Sequence, residues 1–405
     1  MVPKLRFPEF REAGEWEEKA LEKISPSIFD GTHQTPKYTV EGIPFFSVEN
    51  IVSGNKNKFI SRQDYLEATR KNKPEKGDIL ITRIGNIGFS AIVVWDFEFS
   101  IYVTLAAIKK SDKFNSYYLH CYFQSEQYQS EIRSKSLLNA VPCKINMDEL
   151  RKTKVLLPSP KEQQKIATCL SSLDYLIKAQ SEKIKTLQSH KKGLMQQLFP
   201  AEGETVPRVR FGEFLGKDEW AEKTLGDKNV ALFEKEKTPL EKLNILSYVS
   251  TENLLPDYAG VTTASKLPQS GSFTKYKAGD ILISNIRPYL KKVWAADKEG
   301  AASNDVIVIR ASSAISKSFL SFLLKNDSFI NFVMEGAKGL KMPRGDKSLM
   351  EEYRIMFPNK GEQRKIADCL ISLDDLITAQ SQKLEALKAH KKGLMQQIFP
   401  NPNET

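Results

Sequence analysis

The sequence predicts an α+β protein: two globular, β-rich bodies separated by two long coiled-coil helices, the whole forming a pseudo-two-fold internal repeat. Three observations support this. The segment KEQQKIATCLSSLDYLIKAQSEKIKTLQSHKKGLMQQLFP (161–200) recurs as GEQRKIADCLISLDDLITAQSQKLEALKAHKKGLMQQIFP (361–400) with 27 identities in 40 positions. VPKLRFPEFREAGEWEEKAL (2–21) is answered by VPRVRFGEFLGKDEWAEKTL (206–225), and KGDILITRI (76–84) by AGDILISNI (278–286). Each half therefore carries the same order of parts, and a fixed long period is the signature of a duplicated architecture.

The resulting organisation is a first body over 1–160, a helix over 161–200, a second body over 201–360, and a second helix with a tail over 361–405. Inside the bodies, short apolar runs such as IPFFSVENI, DILITRIGNIGFSAIVVW, DILISNI and DVIVIRA alternate with Gly, Asn, Asp and Pro. That pattern predicts many strands and turns. Helical intervals are expected from Tyr117 to Arg133 and from Lys317 to Met334.

The repeated segment has a different rhythm. Ile166, Leu170, Leu173, Ile177, Gln180, Ile184 and Leu187 fall at alternating steps of four and three, continuing through Lys191, Leu194 and Leu198. Ile366, Leu370, Leu373, Ile377, Gln380, Leu384 and Leu387 repeat that spacing. This is the 3.5-residue period of a coiled-coil seam. Polar residues in a seam fix register at a cost in stability, so glutamine at the same place in both copies predicts that the helices pair with each other. The alternative is that each helix packs on its own globular neighbour. Glu162 to Leu198 would span about 55 Å at 1.5 Å per residue, with Pro200 and Pro400 as stops.

The chain carries 60 Lys and Arg against 50 Asp and Glu, a formal charge of +10. The excess favours a polyanionic partner. It is not a tail: the first helix segment has seven cations against three acids and the second six against five, so a binding surface has to be assembled by folding. No run of eighteen apolar residues predicts a membrane span, and MVPKLRFPEF has no signal-peptide core, which gives a cytoplasmic expectation. Cys121, Cys143, Cys169 and Cys369 are scattered without C-x-x-C spacing, so neither a metal site nor a redox pair is expected.

Catalytic machinery is not evident. Gly345-Asp346-Lys347-Ser348 lacks the upstream glycine and the Gly-Lys-Ser run of a phosphate loop and is read as a turn. Gly85-Asn86-Ile87-Gly88 lacks dinucleotide-site spacing and is read as a hairpin. Candidate DNA-binding positions lie in three places. The loop after Asp30 offers Thr32, His33, Gln34, Thr35, Lys37 and Tyr38, side chains suited to base edges and phosphates, with a solvated turn capped by Asp30 as the alternative. After the GDIL strand of each half come Arg83 and Asn86 in one copy, and Asn285, Arg287 and Tyr289 in the other. Lys338, Lys341, Arg344 and Lys347 form a cation-rich loop resembling a backbone clamp, with a less basic counterpart around Lys144.

Over its whole length the chain resembles the specificity subunits of type I restriction–modification systems. The resemblance is carried by the Pro before Glu162-Gln163 and Glu362-Gln363, the SLDxLI run, the KKGLMQQxFP end of each helix and the GDIL strand of each body. It implies that each body is a target-recognition domain reading one half of an asymmetric, bipartite site in double-stranded DNA. It also implies that the helices run antiparallel, set the gap and dock partners. This subunit would have no catalytic centre and no cofactor of its own: S-adenosylmethionine, ATP and Mg belong to two modification (methyltransferase) subunits and to restriction (translocase and nuclease) subunits. A type IIB-like complex is an alternative within the class. A methyltransferase acting alone would have to bind S-adenosylmethionine, and a coiled-coil protein–protein adaptor would retain no DNA sequence-selectively.

Overall fold

The computed structural model describes the chain except residues 54–56, 202, 218, 338, 340, 341 and 401–405. It divides into two compact units, residues 1–181 with 382–405, and residues 182–381. The division cuts each long helix near its middle, so a unit comprises one body, the start of its own helix and the end of the other. The sequence reading instead set the helices apart from the bodies. The reason for the difference is packing: in the first unit Ile166, Ala167 and Leu170 share one core with Met395, Ile398 and Phe399, and in the second Ile366, Ala367 and Leu370 share one with Leu198 and Phe199.

The long helices are Pro160–Leu198 and Lys360–Ile398, each of 39 residues. Pro160 suits the first helical turn, where a missing N–H costs nothing. In the first unit 166–170 meets 394–399 while Asp174 meets Lys391, and in the second 366–370 meets 194–199 while Asp374 meets Lys191. Within each unit the helix segments therefore run antiparallel. All fourteen seam positions are buried or half-buried, including Gln180 and Gln380, whereas the residues between them are mostly exposed.

Each body is layered by strand alternation. In the first unit an antiparallel sheet runs Ile28–Asp30, Leu105–Ile108, Ile79–Thr82, Ser90–Ile92. Ile79 and Ile81 face the helical core, and Leu80 faces a second core with Phe29, Phe46 and Phe99. The second unit repeats this with Ala231–Phe233, Val306–Ala311, Ile281–Ser284 and Val293–Ala295. There Ile281 and Ile283 face one core and Leu282 the other. The GDIL aspartates are sealed at the strand starts. Asp78 accepts from the Glu75 N–H at 2.7 Å and from Lys109 at 2.9 Å, and Asp280 from the Lys277 N–H at 2.8 Å and from Arg310.

A second four-stranded sheet differs between units. Both contain a parallel pair, Ile43–Phe46 with Ser100–Ile101 and Tyr248–Val249 with Gly300–Ala302. Phe59–Ile60 joins the Ile43–Phe46 edge, but Phe273–Tyr276 joins the Gly300–Ala302 edge. A Cβ at Gly300 would lie 2.2 Å from the Ser247 carbonyl oxygen, so that close approach requires glycine.

Each expected helical interval is two helices: Ser116–Phe123 and Glu126–Ser134, and Lys317–Leu324 and Asp327–Glu335. Ser125 and Asn326 break the runs by capping the N–H groups of the following helix. Gly345-Asp346 is likewise a helix start rather than a turn, with Asp346 accepting from the Ser348 N–H at 2.9 Å. Gly85–Gly88 does close a hairpin, between Ile79–Thr82 and Ser90–Ile92. Among the described residues no helix is long and apolar enough to cross a membrane.

Candidate nucleic-acid interface

Strand register brings together loops that lie far apart in sequence. In the first unit Ile84 bridges Lys144, the Gly85 N–H donates to the Cys143 carbonyl at 2.8 Å, and the Ile145 N–H to the Arg83 carbonyl at 2.9 Å. In the second, Ile286 bridges Arg344, the Arg287 N–H donates to the Pro343 carbonyl at 2.8 Å, and the Gly345 N–H to the Asn285 carbonyl at 3.0 Å. The loop after the GDIL strand and the loop before the next short helix thus form one surface in each unit, joining Asn285, Arg287 and Tyr289 to Arg344.

Register keeps the alignment that KGDILITRI and AGDILISNI give. Arg83 corresponds to Asn285, each one residue before the bridge, and both are turned inward. Arg83 is 8% exposed, and its guanidinium donates to Asp30 at 2.8 Å and to the Val103 carbonyl at 3.0 Å. Burial pulls its pKa down while Asp30 opposes. Arg83 is thus a structural residue of the first unit, because Asp30, 53 positions away in sequence, closes on it. Asn285 Oδ1 is buried without a hydrogen-bond partner among the described residues. The counterpart of Arg287 is Gly85.

Arg287, Tyr289 and Arg344 are exposed. Arg344 donates to Asp305 at 2.8 Å, and the Lys347 ammonium lies 5.3 Å from the centre of the Phe233 ring. Lys338 and Lys341 lie outside the described residues. In the first unit Asn86, His33, Gln34, Thr35, Lys37 and Tyr38 are exposed and Thr32 is half-buried. His33 Nε2 is 3.0 Å from Asp30, the Thr35 hydroxyl is 3.0 Å from that of Tyr102, and Thr32 bridges Tyr102. The loop therefore has a fixed base and open side chains. Leu137, Leu138 and Val141 are exposed on the opposing loop, which sequence reading did not single out.

The local cause of the Pro-x-x-x-Glu-Gln motif is also visible. Glu162 and Gln163 are buried. Gln163 donates to the Pro158 carbonyl at 2.9 Å and accepts from the Asn115 N–H at 2.9 Å. Gln363 donates to the Pro358 carbonyl at 2.8 Å and accepts from the Ser316 N–H at 2.8 Å. These amides lock the start of each long helix onto its body.

A family model of the type I restriction modification DNA specificity domain matches residues 14–188 and again 217–389. Two similar proteins come from Methanocaldococcus jannaschii. One carries the provisional name type I restriction enzyme MjaX specificity subunit and is 26% identical over 94% of this chain and 92% of its own. The other, type I restriction enzyme MjaVIII specificity subunit, is 25% identical over 68% of each chain. In fold, the chain resembles the S subunit of a type I restriction-modification system from M. genitalium (TM-score 0.60, 16% identity, 99% of this chain and 100% of that one). It also resembles a chain solved in work on assembly and conformational transition of the type I R-M system (TM-score 0.57, 15% identity, 96% and 98%).

Proposed function

The chain belongs to the type I restriction modification DNA specificity family, and from that premise we propose that it is the specificity subunit of a type I restriction–modification complex. Each body reads one half of a split, asymmetric site in double-stranded DNA. The observation that carries this reading is a duplicated scaffold with unlike tips: equivalent loops hang on the same strand register, yet one offers Gly85 and Asn86 where the other offers Arg287 and Tyr289. Unlike tips on like scaffolds recognise unlike half-sites. The paired 39-residue helices set the number of base pairs between those halves.

The helices also support two copies of one partner. Core packing explains identity along the seam but not on the wet face, where Leu176 and Leu376, Lys183 and Lys383, and His190 and His390 are identical and exposed. The same side chains presented twice fit two modification subunits. Catalysis, with S-adenosylmethionine, ATP and Mg, resides in those and in restriction subunits, in the cytoplasm. Sequencing the methylated positions of DNA from cells expressing the chain with its modification subunit tests the whole reading. A split motif with two dissimilar halves is expected; one uninterrupted motif would refute it.

A further inference from the structure

Two left-handed backbone positions flank the tip of the loop in each unit. In the first they are Gly85 (φ 84°) and Gly88 (φ 86°). In the second, the residue after the Ile286 bridge and the residue two before Val293 are Arg287 (φ 51°) and Lys291 (φ 54°). Only glycine takes this conformation without a Cβ clash. Arg287 is further constrained because it precedes Pro288, which is buried.

The two cations differ in what holds them. Lys291 donates to Asp327 at 2.5 Å, the first residue of the helix Asp327–Glu335, so a contact within the fold offsets its strain. Arg287 is exposed, and among the described residues no hydrogen bond or ion pair holds its guanidinium. At the equivalent Gly85, an added Cβ would meet nothing within 4 Å. The position thus opens to solvent: the backbone of Arg287 is held by the Pro343 carbonyl and the Leu290 N–H, at 2.8 and 2.9 Å, but its side chain makes no contact that offsets the strain. A strained residue whose charged side chain the fold leaves unused points to an outside ligand.

We propose that Arg287 reads a base edge carrying two acceptors, the O6 and N7 pattern of guanine, in the half-site of the second unit. This rests on the DNA-reading function proposed above and assigns one residue within it. A phosphate is met by any flexible cation on relaxed backbone. A base edge requires a planar fork aimed in one direction, and a left-handed residue clamped between the Pro343 carbonyl and Pro288 supplies that aim.

The test replaces Arg287 with the residue of the other unit. R287G and R287K are each expressed with the modification subunit, their methylated motifs sequenced and their thermal midpoints measured. R287G relieves the backbone, so its midpoint is expected to rise by about 2–4 °C. One G·C position in one half of the motif should become degenerate, with discrimination lost roughly ten- to hundred-fold, while the other half stays intact. R287K keeps the charge but not the fork and should lose most of the same discrimination. An unchanged motif, uniformly weaker methylation of an unchanged motif, or degeneracy in both halves would each overturn the assignment while leaving the split-site reading intact. A wild-type chain giving no split motif would overturn both.

Discussion

Glu162 accepts hydrogen bonds of 2.8 and 2.7 Å from Nε and Nη2 of Arg6, with side-chain exposures of 1% and 6% leaving almost no water around the pair. Glu362 and Arg210 repeat the arrangement at 2.8 and 2.7 Å. The first residues of each body are thereby tied to the start of the long helix that follows it. The copies are not identical, since the Trp16 indole N–H donates to Glu162 at 3.3 Å while that of Trp220 has no partner among the described residues.

Removing one member of such a pair leaves a buried charge uncompensated, which costs about 3–5 kcal/mol. Glu162→Ala and Arg6→Ala are each expected to destabilise the first unit by that amount in urea titrations. The double variant should cost clearly less than the sum of the singles, because both remove the same interaction. Simple additivity would show that the pair does not act as a unit.

Phe399, just after the second long helix, lies among Trp16, Tyr118 and Tyr122, with ring centroids 6.5, 5.9 and 5.5 Å away. Phe399→Ala is expected to cost about 3–5 kcal/mol. Phe199→Ala, beside Trp220 and Phe319, should cost a similar amount in the second unit. A loss below about 1 kcal/mol in thermal unfolding would mean that these ends are not anchored.

His120 lies beside Ser90 and Gln124, at 2.9 and 2.8 Å. Burial first, then the Lys391 ammonium, pushes its pKa down to about 4, with Asp174 opposing. The unfolded value is near 6.5, so between pH 6.5 and about 4 the unfolded state binds the extra proton. Stability is full above that window and falls through it by up to about 3 kcal/mol. His120→Gln should flatten the decline between pH 7 and pH 5. An equally steep decline in the variant would assign it to other groups.

Inserting seven residues at matched positions of both long helices preserves the seam and lengthens each by about 10 Å. The preferred gap between half-sites is expected to grow by about three base pairs, at 3.4 Å each. A methylated motif with its original gap would show that the helices do not set it.

Leu176→Glu and Leu376→Glu place a charge on the exposed face shared by the two helices. Each single variant is expected to retain one modification subunit and the double variant none, as read by native mass spectrometry. Unaltered stoichiometry in the double variant would remove this face from the docking surface.

The sequence by itself determined the duplication, the two long helices, their seam and the β-rich character of the bodies. These features rest on local periodicity, so Ile166 to Leu187 and Ile366 to Leu387 announce a seam without knowledge of what covers it. The loops after the GDIL strands were also legible as places. What they present was not, because a side chain's availability depends on partners remote in sequence. Arg83 and Arg287 look alike in the chain, yet Asp30 buries the first and no hydrogen bond or ion pair among the described residues holds the guanidinium of the second. The repeat of KGDILITRI as AGDILISNI already sets Arg287 opposite Gly85, but only the folded backbone shows that both are left-handed. Likewise Glu162 reads as part of a polar helix start until Arg6, 156 positions away, closes on it. Helical and heptad patterns are written by neighbours along the chain, whereas burial, pairing and backbone strain are decided by contacts that exist only after folding.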